Sequence, residues 1–356
     1  IDTSQKQRQI ILSDVSRKMT FVLNQQLEVI DSIANKGPIV NFDREGANLL
    51  GCNIGIMNPN NGHHGSAILF HTGSDGKLIE ESTPLFDSLQ RPVQVTAADL
   101  NKDGKTDYLV CEFGFLTGAL SWMENKGDKY VRHVLRPLPG AIKAYVNDYN
   151  HDGLPDIVVL FAQGDESIIL FTNTGNGNFK QEKLLSFPAA YGSSYFELDD
   201  FNDDGYPDIL YTCGDNADYS TVLKPYHGVY IFMNDKTNHF VQKYFYPIHG
   251  CYKAMARDFD GDGDLDIAAI SFFADYTHQP QEGFVYFKNI GDLHFTPLNV
   301  PGTEVGRWLT MDVGDMDGDG KIDIALGNFS IGPILNRPKV EWQKAPPFIL
   351  LKNITK

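Results

Sequence analysis

The sequence predicts an all-β protein, a seven-bladed β-propeller, on three observations. An acidic motif returns every 49 to 58 residues, a hairpin signature follows each copy, and no long stretch carries helical periodicity. The motif is D-x-[DN]-x-D-G-x-x-D followed by apolar residues. It reads DLNKDGKTD from Asp99, DYNHDGLPD from Asp148, DFNDDGYPD from Asp200, DFDGDGDLD from Asp258 and DMDGDGKID from Asp315. A sixth copy, NFDREGANLLG from Asn41, is one residue short and lacks the last aspartate.

The downstream signature reads GALSWMENKGDKY, SIILFTNTGNGNF, GVYIFMNDKTNHF and GFVYFKNIGDLHF, with SAILFHTGSDGKL in the damaged repeat. Each is an apolar or alternating run, a turn rich in Asn, Gly and Asp, and the start of another run, which is how a hairpin reads. One strand before the acidic loop, one after it and the two hairpin arms make four strands per repeat of about 50 residues, the content of a propeller blade.

The ends decide the blade count. Residues 10–33 read as two or three strands with no acidic loop before them, and FILLKNITK at the C-terminus supplies a first hairpin arm without a second. The expectation is a single domain over 1–356, with strands of 1–37 sharing the closing blade with 338–356. Six blades, with the N-terminal strands completing the last one, is the alternative.

Composition narrows the function. The chain has 356 residues, is 42% hydrophobic and carries a formal net charge of −16. That charge argues against nucleic acid and anionic membrane surfaces as partners. No apolar run approaches the roughly 20 residues of a spanning helix, so the chain is not expected to span a membrane. It opens on Ile1 and is read as a trimmed product, or as a module of a longer chain.

Five aspartates within the nine residues from Asp258 repel one another unless a cation joins them. In the motif, side chains at positions 1, 3 and 5 aim oxygens at one centre, position 7 offers a carbonyl, Gly at 6 permits the bend, and Asp at 9 closes the shell. Flexible hard-oxygen ligation suits Ca²⁺ better than Mg²⁺. An EF-hand needs Glu at position 12 and a following helix. Here position 12 holds Val110, Val159, Tyr211, Ala269 and Leu326, and strands follow. Five Ca²⁺ ions would bring the formal charge from −16 to about −6.

These loops and their strands resemble the FG-GAP/VCBS repeats of integrin α-subunit propellers and of bacterial surface and secreted proteins, over residues 38–352. The resemblance implies a calcium-stabilised propeller outside the cytoplasm, in the periplasm, at the cell surface or secreted, and often serving adhesion or carbohydrate recognition. Carried onto this chain, the metal residues are Asp99, Asn101, Asp103, Lys105 and Asp107 in the first loop. In the second they are Asp148, Asn150, Asp152, Leu154 and Asp156, and in the third Asp200, Asn202, Asp204, Tyr206 and Asp208. The fourth has Asp258, Asp260, Asp262, Asp264 and Asp266, and the fifth Asp315, Asp317, Asp319, Lys321 and Asp323. The residue at position 7 of each contributes its carbonyl. The loop at Asn41 departs from the pattern, which puts calcium there in doubt.

In such a blade the innermost strand lines a central channel, and the face opposite the calcium loops is built from turns entering that strand and from the next strand connections. These place Arg91, Lys143, Lys253 and Arg307 near a channel mouth, with Glu166, Asp215 and His227 beside them. Two readings stand: the cations pair with neighbouring carboxylates for structure, or they hold an anionic or polyhydroxylated ligand. His63 and His64 are adjacent in a loop, which suits shared ligation of a metal poorly. Cys52, Cys111, Cys213 and Cys251 read as buried thiols, with a Cys213–Cys251 disulfide as the alternative. No G-x-S-x-G, P-loop or H-E-x-x-H is present. The expected function is a binding or adhesion module for a carbohydrate or protein ligand. The alternative is a carbohydrate-active propeller enzyme of lyase or dehydratase type.

Overall fold

The computed structural model describes residues 8–220, 222–330 and 341–355. Seven antiparallel sheets follow one another along the chain, the seven blades that the repeats predict. The first is β1 (Ile10–Asp14), β2 (Met19–Leu23) and β3 (Val29–Ala34). The second is β4 (Ile39–Glu45), β5 (Asn48–Asn53), β6 (Gly65–Thr72) and β7 (Leu78–Glu80), with β8 (Phe86–Leu89) also on β6. The third runs β9 (Pro92–Ala98), β10 (Asp107–Glu112), β11 (Ala119–Asn125), β12 (Tyr130–Arg136). The fourth runs β13 (Ala141–Asn147), β14 (Asp156–Phe161), β15 (Ser167–Asn173), β16 (Phe179–Ser186). The fifth comprises β17 (Ser193–Asp199), β18 (Asp208–Cys213), β19 (Gly228–Asn234) and β20 (Phe240–Pro247). The sixth comprises β21 (Cys251–Arg257), β22 (Asp266–Ser271), β23 (Phe284–Asn289) and β24 (Phe295–Leu298). The last holds β25 (Trp308–Gly314), β26 (Asp323–Asn328) and β27 (Phe348–Leu351). Helical structure among the described residues is limited to short 3-10 turns such as Asp215–Tyr219 and Pro280–Gly283.

The chain forms two compact units. One spans Gln9–Phe187 and holds the first four sheets; the other spans Pro188–Lys356, with the N-terminal segment ending at Arg8, and holds the last three. In each, the core lies between consecutive sheets. Leu109, Cys111 and Trp122 pack with Ala144, Ile157, Val159 and Phe171 in the first unit. In the second, Leu210, Val229 and Ile231 meet Ala254, Ile267 and Phe287. The second strand of a blade is covered on both faces, so every residue of β10, β14, β18 and β22 is buried. That is why these strands read as unbroken apolar runs behind the acidic motif.

Among the described residues the strands of 1–37 pair with one another, and β27 pairs with β26. The shared closing blade rests in part on residues 1–7 and 338–340, which lie outside the described residues. The damaged repeat holds no loop at all. Glu45 pairs with Asn48 across a two-residue turn at Gly46, and Asp43 sits inside β4, where its carboxylate accepts the Thr96 hydroxyl at 2.8 Å. Two residues join the strands here, where eight separate Ala98 from Asp107 in the first full repeat, so the acidic loop is reduced to a hairpin turn.

A buried clamp joins each full loop to its blade. The aspartate at position 9 opens the second strand and is 0–1% exposed in all five repeats. One oxygen accepts the amide of an asparagine at or just past the end of the third strand: Asn125 to Asp107, Asn173 to Asp156 and Asn289 to Asp266 at 2.7 Å, Asn234 to Asp208 at 2.8 Å, Asn353 to Asp323 at 2.9 Å. The other oxygen accepts the amide of loop position 2 in four repeats, at 3.0–3.2 Å, and the Tyr286 hydroxyl in the fourth. Each asparagine returns its side-chain NH₂ to the carbonyl at loop position 8, as Asn173 does to Pro155 at 3.1 Å. Asn173 and Asn353 also reach the preceding blade's loop, donating to the carbonyls of Leu100 and Phe259.

The clamp makes a measurable demand. Asn173→Ala leaves the carbonyls of Leu100 and Pro155 without a donor and should cost about 3 kcal/mol, since each buried polar group left unsatisfied costs roughly 1–3 kcal/mol. Asn178→Ala, in the exposed turn of the same hairpin, should cost under about 1 kcal/mol. Urea unfolding of both variants beside wild type measures the difference; equal losses would show that the clamp does not brace the blade.

Candidate metal centres

The five loops share one internal geometry. An oxygen of the position 1 aspartate accepts the amide of Gly at position 6, at 2.7–3.1 Å from Gly104, Gly153, Gly205, Gly263 and Gly320. Position 3 accepts the amide of position 5 at 3.0–3.3 Å, through Asn101, Asn150, Asn202, Asp260 and Asp317. Position 5 accepts the amide of position 7 at 2.9–3.0 Å, from Lys105, Leu154, Tyr206, Asp264 and Lys321. These short side-chain turns fix the three side chains in rotation, which free solvated carboxylates would not be. The glycine at position 6 has φ between 82° and 99° in all five, a left-handed backbone that a side chain would strain.

Two loops bring carboxylate oxygens together most closely. Asp258, Asp260 and Asp262 have one oxygen each within 4.8 Å of one another, and so do Asp315, Asp317 and Asp323. The donor set is wholly oxygen, hard and anionic, so it fits calcium. Cationic side chains already stand against it. The Lys288 ammonium touches the Asp260 carboxylate and lies 3.9 Å from that of Asp262. Lys352 sits 3.2 Å from Asp317, Lys236 3.4 Å from Asp204, and Arg8 3.2 Å from Asp315.

The electrostatics divide each loop in two. At position 9, burial pushes the carboxyls of Asp107, Asp156 and Asp266 up, and that of Asp208 up to about 6. At the rim the direction reverses. Hydrogen bonds from Lys288 to Asp260 and from Lys352 to Asp317 hold those carboxyls below the usual range. A divalent cation between rim and floor would favour the ionised form of both.

The other candidates fall into different settings, Arg91, Lys143 and Glu166 in the first unit and Asp215, His227, Lys253 and Arg307 in the second. Lys143 and Lys253 occupy equivalent positions, each just after a β-bulge near the start of its blade's first strand. Lys143 lies over the Tyr145 ring at 4.7 Å; Lys253 lies over Tyr195 at 4.6 Å and donates to the Met311 carbonyl at 2.7 Å. Arg91 is buried, donates to the carbonyls of Gly114 and Met57, and faces the Phe113 ring. Arg307 is 1% exposed, 3.6 Å from the Phe272 ring centre, with Phe273 and Trp342 beyond, and donates to the Phe272 carbonyl at 3.0 Å. Carbonyls and aromatic faces meet these cations, and the Lys253 ammonium also helps hold the Asp312 carboxyl below the usual range.

His227 is fully buried, hydrogen-bonds Asn216 at 2.8 Å and stacks on His249; burial lowers its pKa to about 3, so it stays neutral. Glu166 is 4% exposed, and Asp215 opens the 3-10 turn, its amide donating to the Gly192 carbonyl at 3.1 Å. His63 is exposed and bonds the Ser88 carbonyl at 3.0 Å. The four cysteines are buried free thiols. No helix among the described residues is long and apolar enough to cross a membrane.

Sequence reasoning missed two groups. The clamp asparagines were visible in the aligned hairpin motifs, always one residue before the turn, but were read as turn formers only. Asp275 and Glu282, in the connection after β22, lie outside every repeat. Asp275 is 4% exposed and accepts from His278 at 2.9 Å, and burial beside Asp275 raises the Glu282 carboxyl to about 7.

A family model described as an FG-GAP-like repeat matches residues 148–211 and 258–326, covering the second and third loops in one segment and the fourth and fifth in the other. A crystal structure of a protein from Lactobacillus plantarum is similar in fold, with 10% identity, a TM-score of 0.56, and coverage of 90% of this chain and 89% of that one. Two crystal structures of BBS1N in complex with ARL6DN are similar at 10% identity and a TM-score of 0.53; each aligns with 90% of this chain, which covers 83% and 84% of theirs. At that identity these structures speak to the fold alone. Family match and blade architecture agree: residues 148–211 and 258–326 match the FG-GAP-like repeat, and they lie within a seven-bladed β-propeller arrangement.

Proposed function

We propose that the protein is a calcium-braced binding propeller, an extracytoplasmic binding or adhesion module whose ligand is a carbohydrate or a protein. The loops carry this reading, because five separate turns hold their side-chain oxygens in the same hydrogen-bonded arrangement. Calcium would bind Asp, Asn and position 7 carbonyl oxygens there and neutralise carboxylates that otherwise repel. Such sites fill most readily where calcium is abundant, which supports a periplasmic, cell-surface or secreted home. Lys143 and Lys253, at the equivalent bulged positions, are the cations best placed to meet a ligand, whereas Arg91 and Arg307 are buried in protein.

A second reading, a carbohydrate-active enzyme of lyase or dehydratase type, has one observation in its favour. Asp275 and Glu282 are two carboxyls in unlike settings, one engaged by an imidazole and one raised to about 7. Such a pair can divide acid and base roles. Glu282→Gln would abolish turnover of an acidic polysaccharide under the enzyme reading and leave ligand capture unchanged under the binding reading.

Calcium should bind at about one ion per full loop, and EDTA should lower the melting temperature by roughly 10 °C or more, because ligand linkage at several sites adds. An unchanged midpoint with no calcium by elemental analysis would contradict the loop assignment.

The pH dependence in EDTA follows from Asp208. Its carboxyl rises from 3.8 to about 6 on folding, so the fold favours the neutral form, and this contribution is present below about pH 4 and lost as pH rises through 6. Asparagine can accept only one of the two amides that Asp208 holds, so Asp208→Asn should melt below wild type at pH 4, and the gap should narrow progressively from pH 4 to pH 7 in EDTA. A difference that stays flat would show that burial does not shift this group.

Reversal of the cations separates ligand contact from structure. Arg307→Glu should destabilise by about 3–5 kcal/mol, the loss for leaving a buried charge without its partners. Lys143→Glu should remain folded and lose binding to an anionic glycan on an array. Thermal melts and array signals together check both outcomes; a stable Arg307→Glu would contradict its burial.

A further inference from the structure

One position at or just past the end of the third strand contacts loop position 3 in three of the full repeats, through Glu124, Lys288 and Lys352. It is the residue before the clamp asparagine, and it holds Glu124, Thr172, Met233, Lys288 and Lys352 in turn. Its identity tracks the residue at position 3. Where position 3 is Asp260 or Asp317, the facing residue is a lysine, and its ammonium binds that carboxylate. Where position 3 is asparagine there is no lysine. The Asn101 NH₂ donates to Glu124 at 3.0 Å, and those of Asn150 and Asn202 turn onto Asp152 and Asp204 at 2.9 and 3.2 Å.

The contact is also specific in its atoms. Asp260 gives one oxygen to Lys288 and keeps the other on the Asp262 amide at 3.3 Å. Asp317 divides its oxygens the same way, between Lys352 at 3.2 Å and the Asp319 amide at 3.2 Å. The lysine therefore takes the outer oxygen and leaves the other bonded within the loop. An Asp–Lys pair in these repeats does what an asparagine amide does in the others, with a full positive charge added beside the most acidic loops.

We propose that Lys288 and Lys352 are resident counter-cations that let the fourth and fifth loops stay folded at low calcium, at the cost of weaker calcium binding there. This rests on the calcium reading of the loops. A fixed positive charge within about 6 Å of a divalent ion opposes its binding by roughly 3- to 10-fold. The same charge relieves carboxylate repulsion when calcium is scarce. The first three loops lack such a lysine on position 3; the first and third carry one on position 5 instead, Lys105 on Asp103 at 3.2 Å and Lys236 on Asp204 at 3.4 Å, farther from their carboxylates than Lys288 is from Asp260.

The test compares Lys288→Met and Lys352→Met with wild type, Lys288→Arg, and the exposed control Lys243→Met, in EDTA and in saturating calcium. Lys288→Met and Lys352→Met should each melt about 3–6 °C lower than wild type in EDTA, regain most of that loss in calcium, and bind calcium in the affected loop several-fold more tightly by calorimetry. A variant that folds only with calcium supports the proposal in its strongest form. Lys288→Arg should restore wild-type behaviour, and Lys243→Met should not differ from it. If wild type binds calcium but the two methionine variants match it in EDTA and in affinity, the counter-cation role is overturned while the calcium reading stands. If wild type neither binds calcium nor shifts its melting with it, both fall together.

Discussion

The hydrogen bonds around one buried carboxylate per repeat are what the rest of the blade depends on. The aspartate at loop position 9 begins the second strand, yet its oxygens accept amides from the loop before it and from the end of the third strand. Burying a carboxylate is costly, and only this complement of donors makes the position tolerable. The acidic rim, the turn of the following hairpin and the start of the buried second strand are thereby tied to one point. Through Asn173 and Asn353 the tie extends to the preceding loop within each unit.

This arrangement explains why an acidic loop and an apolar core coexist within a few residues. The rim carboxylates stay near solvent, where lysines or a divalent ion can balance them, and the floor carboxylate belongs to the core. A cation bound at the rim would not create the fold. It would stiffen a turn that the clamp has already placed, which suits a protein presenting loops on a rigid scaffold.

Much of this was legible in the sequence. The period, the hairpins and the left-handed glycines follow from residue types at fixed spacing, and seven sheets appear where the repeats predict blades. Other features were harder to read for physical reasons. The clamp asparagines follow position 9 by 17 to 30 residues, because the intervening connections differ in length, so no fixed spacing from the acidic motif marks them. Arginine usually signals surface, and nothing around Arg307 announces that Phe272, Phe273 and Trp342 gather over it from distant positions. The Asn41 segment matches the motif loosely in residue type, but pairing of Glu45 with Asn48 places Asp43 within a strand, and only the register shows that.

Central to the proposed function are loops held in place by the clamp and stiffened by a cation at the rim. Hydrogen exchange measured with and without calcium tests this most directly, because it reads each turn separately. Calcium should slow exchange at the amides of Gly104, Gly153, Gly205, Gly263 and Gly320, while the Gly46 turn stays unchanged and the clamp amides of Asn173 and Asn289 remain protected in both conditions. Uniform slowing that includes Gly46, or clamp amides that exchange as fast as the rim without calcium, would contradict it.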